Sequence, residues 1–241
     1  MHNHQAPVPI ALPSGQEHPR CNLCGEDDAK FLYSSRDLRF HVPSVDCPGV
    51  PCRRCALPDL CPRPTPAEIG KYYPAHFYQG RDSDHAERRY ERQWRYLEGL
   101  RPGRLLDVGC ANGDWMRFVA NRGWDVAGVE PSATSENPHG LEIRRGRIPE
   151  CLDYPDASFD AVTAWAVFEH LHDPLGAFSA VARLLRPGGT FIMLVTNVNS
   201  LFSRYAYQED LPRHLYFFSE RTLGDYARKT GLSLAGIDDT T

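Results

Sequence analysis

From residue 104 onward the sequence alternates between short apolar runs and longer stretches with helical periodicity. We predict strands at residues 104–108, 124–129, 141–145, 159–165, 190–196 and 232–237, and helices at residues 113–121, 174–185 and 219–230. Short buried strands that alternate with helices are typical of a parallel sheet whose crossover helices cover its faces. We therefore predict an α/β fold built on a doubly wound, mostly parallel sheet.

The last predicted strand, residues 232–237, is followed by only four residues. A strand at the edge of a sheet exposes unpaired N–H and C=O groups and invites pairing with another chain. We therefore expect either that this sequence is part of a longer protein or that a second copy covers the edge in a homodimer.

The chain before this domain has a different character. Residues 1–20 hold four prolines among His, Asn, Gln and Ser, a composition that predicts a disordered tail. Residues 21–66 are rich in Cys and Pro, and their apolar pieces are too short to form a core without a cross-link or a metal. We predict a helical connector at residues 67–103, in which the longest helix covers residues 84–100. The α/β domain then takes up residues 104–241.

The small domain contains two C-x-x-C pairs. They are formed by Cys21, Cys24, Cys52 and Cys55. Four thiolates from two such pairs can close a tetrahedral site, so we predict a zinc ribbon that holds a structural Zn²⁺ ion. A redox C-x-x-C would be expected beside a βαβ unit, and that context is missing. Cys47 and Cys61 lie close enough in sequence to replace a ligand, and this alternative stays open.

A turn of small residues, L-D-V-G-C-A-N-G at residues 106–113, links the first predicted strand of the α/β domain to its first helix. A cofactor can approach the backbone closely at such a turn. The turn lacks the G-x-G-x-x-G pattern of dinucleotide sites, and Asp107 precedes its first glycine. Glu130 ends the second strand, 21 residues after Gly109, where a carboxylate can accept both hydroxyls of a ribose. The two acids favour a nucleoside that carries positive charge.

With these features the sequence from residue 104 to its end resembles the class I S-adenosylmethionine (SAM)-dependent methyltransferases. It continues with F-D-A-V at residues 159–162, V-F-E-H-L-H-D-P at residues 167–174 and L-L-R-P-G-G at residues 184–189, in the order typical of that family. The resemblance implies a Rossmann-like fold, SAM as the cofactor and a domain that lacks its final antiparallel strand.

The resemblance also implies which residues contact the cofactor. They are Asp107, Gly109, Ala111, Gly113, Glu130, Arg147 and Ile148. The two glycines would lie beside the methionine moiety, and the aspartate would anchor the turn or the amino acid end. The glutamate would hold the ribose, and the arginine and isoleucine would lie near the adenine. The alanine replaces a glycine that is frequent in the family.

The ribbon cysteines, the C-P-R-P-T stretch at residues 61–65 and L-P-R-H-L-Y-F-F-S at residues 211–219 resemble a group of bacterial methyltransferases of sugar, polysaccharide and secondary-metabolite pathways. This resemblance implies a small-molecule acceptor, such as a nucleotide sugar, methylated at a hydroxyl or a carbon. A sugar hydroxyl is a poor nucleophile, so we predict His214 as its general base, with Arg213 holding an acidic substrate. His170 is the second candidate catalytic residue and would orient the substrate or the turn.

Charge and hydropathy exclude several classes of function. The 27 Lys and Arg residues against 31 Asp and Glu residues give a formal net charge of -4, so we expect no nucleic-acid or anionic-membrane partner. No apolar run approaches a membrane span and the first residues do not form a signal peptide, so we expect a cytoplasmic protein. A non-catalytic ribbon module with a vestigial SAM fold, and a protein or tRNA methyltransferase, remain as alternatives.

Overall fold

The computed structural model describes residues 12, 14–28, 33–35, 47–73, 83–132, 135–199 and 210–238. The first strands form two small antiparallel sheets. One sheet has two strands, and its first is β1 (Gln16–Glu17). The other sheet has three strands in the order β2 (Tyr33–Ser35), β3 (Cys47–Pro51), β4 (Pro58–Leu60). The partner of β1 is β5 (Arg63–Pro64).

Part of the predicted disordered tail is therefore structured. β1 lies at residues 16–17, and the main-chain N–H of Thr65, just after β5, donates to the carbonyl of Gly15 at 3.0 Å. Composition alone predicts disorder for this segment. Composition does not reveal that the distant strand β5 supplies a pairing partner. This pairing is the reason that residues 16–17 form a strand.

The connector contains a 3₁₀ helix at Ile69–Tyr72 and the helix α1 at Ser83–Trp94. α1 begins one residue before the helix predicted at residues 84–100, and the 3₁₀ helix lies within the predicted connector. α1 ends earlier than residue 100, and the turns at residues 95–99 bury Leu97 completely before the chain enters the main sheet.

The main sheet has five parallel strands, as the alternation of strands and helices predicts. They are β6 (Arg104–Val108), β7 (Asp125–Glu130), β8 (Glu142–Arg145), β9 (Phe159–Trp165) and β10 (Leu185–Leu194). Their order is β10-β9-β6-β7-β8. The connections run in opposite directions on the two sides of β6, so a crevice opens between β6 and β9 at the carboxyl ends of the strands.

Helices cover both faces of this sheet. They are α2 (Asp114–Ala120), α3 (Pro174–Leu184) and α4 (Glu220–Thr230). Trp115, Met116 and Val119 of α2 are buried in one apolar cluster, whereas α3 and α4 contribute to a second cluster on the other face. Gly128 of β7 allows the close approach of α2, because a Cβ there would meet the Met116 Sδ at 2.6 Å. The α/β, doubly wound fold is confirmed.

One predicted strand is wrong. Residues 232–238 form no strand: the chain leaves α4 through Gly231, which has a φ of 78°, and then runs along the surface. Leu234 and Ile237 are 45% and 41% exposed. An alternating apolar pattern forms a strand only where a neighbouring strand supplies hydrogen bonds, and in the described structure β10 occupies that edge of the sheet instead.

In the described part of the chain, no helix is both long enough and apolar enough to cross a membrane.

Candidate functional site

The turn after β6 lies at the crevice and has little freedom. Gly109 has a φ of 74°, and its N–H donates to the carbonyl of Val129 at 2.8 Å. A Cβ on Gly109 would lie 2.5 Å from the Cγ2 of Val167, which begins the loop after β9. Glycine is required here because of both the positive φ and this contact. The turn and the β9 loop are therefore packed together at the mouth of the crevice.

Glu130, at the end of β7, holds this turn in place. Its side chain is 5% exposed, and its two carboxylate oxygens accept hydrogen bonds from the N–H groups of Ala111 and Ser132, each at 2.9 Å. Ala111 adopts a positive φ of 50°, which an alanine rarely does, and the bond to Glu130 stabilises that conformation. Sequence reasoning missed this second role of Glu130. Each oxygen retains a lone pair that can accept from a ribose hydroxyl.

Asp107 is the second acid of the crevice and is 2% exposed. The hydroxyl of Thr163 on β9 donates to its Oδ1 at 2.6 Å, and the indole N–H of Trp115 lies 3.3 Å from that hydroxyl oxygen. Burial raises the pKa of Asp107 to about 7, and the negative charge of Glu130 adds to the effect. A positively charged group in the crevice would restore the ionised form of Asp107.

The other predicted cofactor residues divide into two groups. Gly113 precedes α2 with a φ of 85° and lies in the same turn as Gly109 and Ala111. Ile148 is 3% exposed and belongs to the core cluster, whereas Arg147 is exposed. The structure brings the turn and the two acids together, and the contact of Arg147 and Ile148 with an adenine stays a prediction.

The two predicted catalytic histidines meet at the carboxyl ends of β9 and β10. His170 ends the 3₁₀ helix at Phe168–His170, three residues after Val167, and His214 lies in the segment after β10. Their ring centroids are 4.6 Å apart in an edge-to-face arrangement. The polar ends of three side chains converge here. A carboxylate oxygen of Glu169 and one ring nitrogen each of His170 and His214 lie within 4.8 Å of one another.

His170 is held as a neutral base. Its Nδ1 lies 3.0 Å from the carbonyl oxygen of Arg213 and 3.2 Å from the hydroxyl oxygen of Tyr73. A carbonyl only accepts, so Nδ1 carries the proton and Nε2 carries the lone pair. Although His170 is partly exposed, burial among these groups lowers its pKa to about 4. The imidazole therefore stays uncharged at neutral pH.

Glu169 and Arg213 are buried ionisable residues at this site. Burial raises the pKa of Glu169 to about 8, and in the described structure its Oε2 has no hydrogen-bond partner. Arg213 has no exposed surface: its Nη1 donates to the Tyr72 carbonyl at 3.2 Å, and its Nη2 lies 3.5 Å from Asp210. Arg213 therefore acts inside the fold rather than as the expected anchor for an acidic substrate. One sequence feature could have indicated this burial: Arg213 is a charged residue inside the largely apolar stretch at residues 211–219.

The four ribbon cysteines converge as predicted. The Sγ atoms of Cys21 and Cys55 are 3.4 Å apart, those of Cys24 and Cys52 are also 3.4 Å apart, and all four lie within 4.8 Å of one another. A tetrahedral zinc site with Zn–S bonds of about 2.3 Å requires similar separations. Cys61 is buried outside this group, and the side chain of Cys47 lies outside the described residues.

Sequence comparison supports the assignment of the α/β domain. A family model described as a methyltransferase domain matches residues 78–235. The ubiquinone biosynthesis O-methyltransferase of Alkalilimnicola ehrlichii is 38% identical over 112 residues, 43% of this chain and 45% of that protein. The enzyme of the same name from Idiomarina loihiensis is 35% identical over 113 residues, 43% of this chain and 46% of that protein. The chain spans less than half the length of these curated relatives.

Solved structures share the fold. A SAM-dependent methyltransferase from Archaeoglobus fulgidus superposes with a TM-score of 0.56 at 22% identity, over 65% of this chain and 71% of that chain. The PH0226 protein of Pyrococcus horikoshii gives a TM-score of 0.54 at 19% identity, over 66% of this chain and 88% of that chain. Together with the family match, which covers more than half of the chain, these findings show that the protein belongs to the methyltransferase domain family.

Proposed function

We propose that this protein is a SAM-dependent methyltransferase that methylates a hydroxyl group of a small molecule. The observation that carries the proposal is that two sites lie side by side at the carboxyl ends of the parallel strands. The turn held by Glu130 is in contact with the loop that leads to His170, and the rings of His170 and His214 meet edge to face. A nucleoside crevice beside a pair of imidazoles suits the transfer of a small group to a nucleophile that must lose a proton.

The residues of the crevice fit SAM. Asp107 presents a buried carboxyl whose ionised form a nearby cation would stabilise, and the lone pairs of Glu130 suit a ribose. When bound, SAM supplies an electrophilic methyl group on a positively charged sulfur. The turn around Gly109 allows backbone to approach the cofactor, and the surrounding apolar core excludes water.

The two histidines form the part of the site that would bind the methyl acceptor, which we call the acceptor side. His170 is neutral and offers the lone pair of Nε2, so it can accept a hydrogen bond from an acceptor hydroxyl and orient it. His214 lies beside it, 5% exposed, with its Nε2 3.9 Å from Oδ2 of Asp210. A carboxylate beside an imidazole favours uptake of a proton, which is the role that we assign to His214.

The class of acceptor follows from two kinds of likeness. The curated relatives are named ubiquinone biosynthesis O-methyltransferases, which favours methylation of a small molecule at oxygen. The ribbon and the motif at residues 211–219 favour a sugar or secondary-metabolite intermediate, such as a nucleotide sugar, and they keep methylation at carbon as a second candidate. We further propose that the four ribbon cysteines hold a structural zinc ion.

The test is transfer of labelled methyl from SAM to a panel of hydroxylated small molecules that includes nucleotide sugars. We expect His214→Ala to lower kcat by about a hundredfold or more while the affinity for SAM stays unchanged. His18→Ala, which removes an exposed histidine, serves as the control. Transfer at an undiminished rate by His214→Ala would remove the general base from the proposal, and a vestigial domain would transfer no methyl to any acceptor.

A further inference from the structure

The ribbon is joined directly to the segment that carries His214. The N–H of Leu60 donates to the carbonyl of Leu215 at 3.0 Å, and the N–H of Phe217 donates to the carbonyl of Pro58 at 3.0 Å. Asp59 and Tyr216 form an antiparallel bridge between these bonds. The segment after His214 thus extends the ribbon sheet at its β4 edge.

The same segment is also bonded to the turn that carries His170. The N–H groups of Leu215 and Tyr216 both donate to the carbonyl of Glu169, at 2.7 and 3.2 Å. Glu169 precedes His170, and Leu215 follows His214. The backbones that carry the two imidazoles are therefore held together, and β4 holds one of them from outside.

Arg63 of β5 links these elements through its side chain and is only 4% exposed. Its Nη1 donates to the hydroxyl oxygen of Tyr216 at 2.7 Å, and its Nη2 donates to the carbonyl of His172 at 3.1 Å. Its Nε donates to a carboxylate oxygen of Glu17 at 2.7 Å, which balances the buried charge. The three nitrogens of one guanidinium thus bond to three separate segments of the chain.

Two of the three partners of Arg63, His172 and Tyr216, lie two residues from a candidate catalytic histidine. His172 follows His170 in the loop after β9, and Tyr216 follows His214 in the segment after β10. His172 is itself tied to β5, because its Nε2 lies 3.0 Å from the carbonyl oxygen of Pro64. A rigid, planar guanidinium fixes two directions at once, which the single ammonium of a lysine does not.

We propose that Arg63 is a positioning residue for methyl transfer: by binding Tyr216 and the His172 carbonyl it fixes the two imidazoles of His170 and His214 relative to each other. The inference rests on the proposed function and extends it, because it assigns the ribbon a part in the reaction. Arg63 does not touch the acceptor or the cofactor. It acts through the loops that carry the two histidines, and the pairing of β5 with β1 anchors it.

The test combines kinetics with the titration of His170 by NMR. In Arg63→Lys the loops separate and water reaches the His170 ring, so we expect its pKa to rise from about 4 toward the ordinary histidine range. The groups that face this ring are Tyr73, Glu169, Asp210, Arg213 and His214. All of them are retained in the variant. We expect kcat to fall about tenfold or more because the imidazoles are misplaced, with the affinity for SAM unchanged.

Two further variants keep the test decisive. Tyr216→Phe removes only the hydroxyl that accepts from Arg63 and retains the ring, and we expect it to shift the pKa of His170 and kcat in the same directions. Arg183→Lys is the matched control, because Arg183 also donates to backbone carbonyls. Its partners are Leu152 and Tyr154, near the amino ends of the strands and away from the histidines. That control should leave both quantities unchanged.

The outcomes separate this inference from the proposed function. An unchanged pKa of His170 in both Arg63→Lys and Tyr216→Phe overturns the positioning role. So does a parallel loss of SAM affinity and kcat without a change in that pKa, because it would mean general damage to the fold. If the unaltered protein transfers methyl to no acceptor, the proposed function fails, and the His170 titration alone then decides whether Arg63 positions the pair.

Discussion

Glu169 is a buried carboxyl group that is protonated at neutral pH. Its folded-state pKa of about 8 lies above the ordinary value of 4.5, so the folded protein holds a proton that the unfolded chain releases. The contribution of Glu169 to stability is therefore fully present below pH 4.5 and is lost as the pH rises toward 8. Over that window the free energy of unfolding should fall by on the order of 1 kcal/mol per pH unit from this group.

The variant Glu169→Gln tests this directly, because a glutamine is a neutral mimic of the protonated acid. We expect its free energy of unfolding to depend less steeply on pH between 5.5 and 8 than that of the unaltered protein. Urea unfolding at several pH values measures the difference. Glu142→Gln, an exposed change on β8, is the control. Parallel pH dependence in Glu169→Gln and the unaltered protein would contradict the buried, protonated state.

Asp107 should make cofactor binding depend on pH. Its pKa of about 7 in the folded protein means that the carboxylate loses its charge as the pH falls below 7. A positively charged cofactor binds the ionised form better, so the dissociation constant for SAM should rise by up to about tenfold per pH unit below pH 7. Calorimetric titration at pH 6 and pH 8 measures this change. An equal pH dependence in Asp107→Asn would assign it to another group.

Part of this chemistry could be predicted at the level of single residues. The resemblance to the methyltransferases singled out Asp107, Glu130, His170 and His214, and the structure places all four at the carboxyl ends of neighbouring parallel strands. The neutral state of His170 could not be predicted. It depends on the carbonyl of Arg213, 43 residues away in the chain, and on a tyrosine from the connector.

The first cysteine knuckle, residues 21–25, contacts two helices of the main domain. The Nδ2 of Asn22 donates to the carboxylate of Asp173, and its Oδ1 accepts from the N–H of Leu175 in the first turn of α3. The hydroxyl of Tyr226 in α4 donates to the same oxygen at 3.0 Å. The knuckle therefore holds the start of α3 against α4.

We predict one zinc ion per chain, lost in Cys21→Ser/Cys52→Ser. Because the binding energy of a structural metal is folding energy, this variant should also have a lower thermal unfolding temperature in the main domain, through the contacts of Asn22. Metal analysis and thermal unfolding measure the two effects. Cys151→Ser removes a cysteine outside the cluster and should retain the zinc. Full zinc content in the double variant would show that other residues hold the metal.

The elements themselves were largely predictable. β6 and β9 have their predicted bounds, since each is a buried apolar run that local sequence defines. The strand predicted at residues 232–237 fails because a strand depends on its neighbour as well as on its own pattern. The bond between β1 and β5 was missed for the same reason, since neither two-residue strand has a signal of its own.

Across the whole molecule, the ribbon and the α/β domain share one hydrophobic core. Leu57 and Leu60 of the ribbon are completely buried in the same cluster as Tyr216, Phe218 and Tyr226. Sequence composition separates the two regions because only residues 21–66 are rich in Cys and Pro. The packing joins them, and the loops of the acceptor side lie at the junction.

Calorimetric titration with SAM, of the unaltered protein and of Glu130→Ala, is the most direct test of the proposed cofactor site. We expect saturable binding at one site per chain. In the variant, loss of charge-assisted hydrogen bonds worth about 1.5 to 3 kcal/mol should weaken the affinity by tenfold or more. Glu142→Ala, which removes an exposed glutamate from the next strand, should bind SAM as the unaltered protein does. Absence of saturable binding, or an equal dissociation constant for Glu130→Ala, would contradict the assignment.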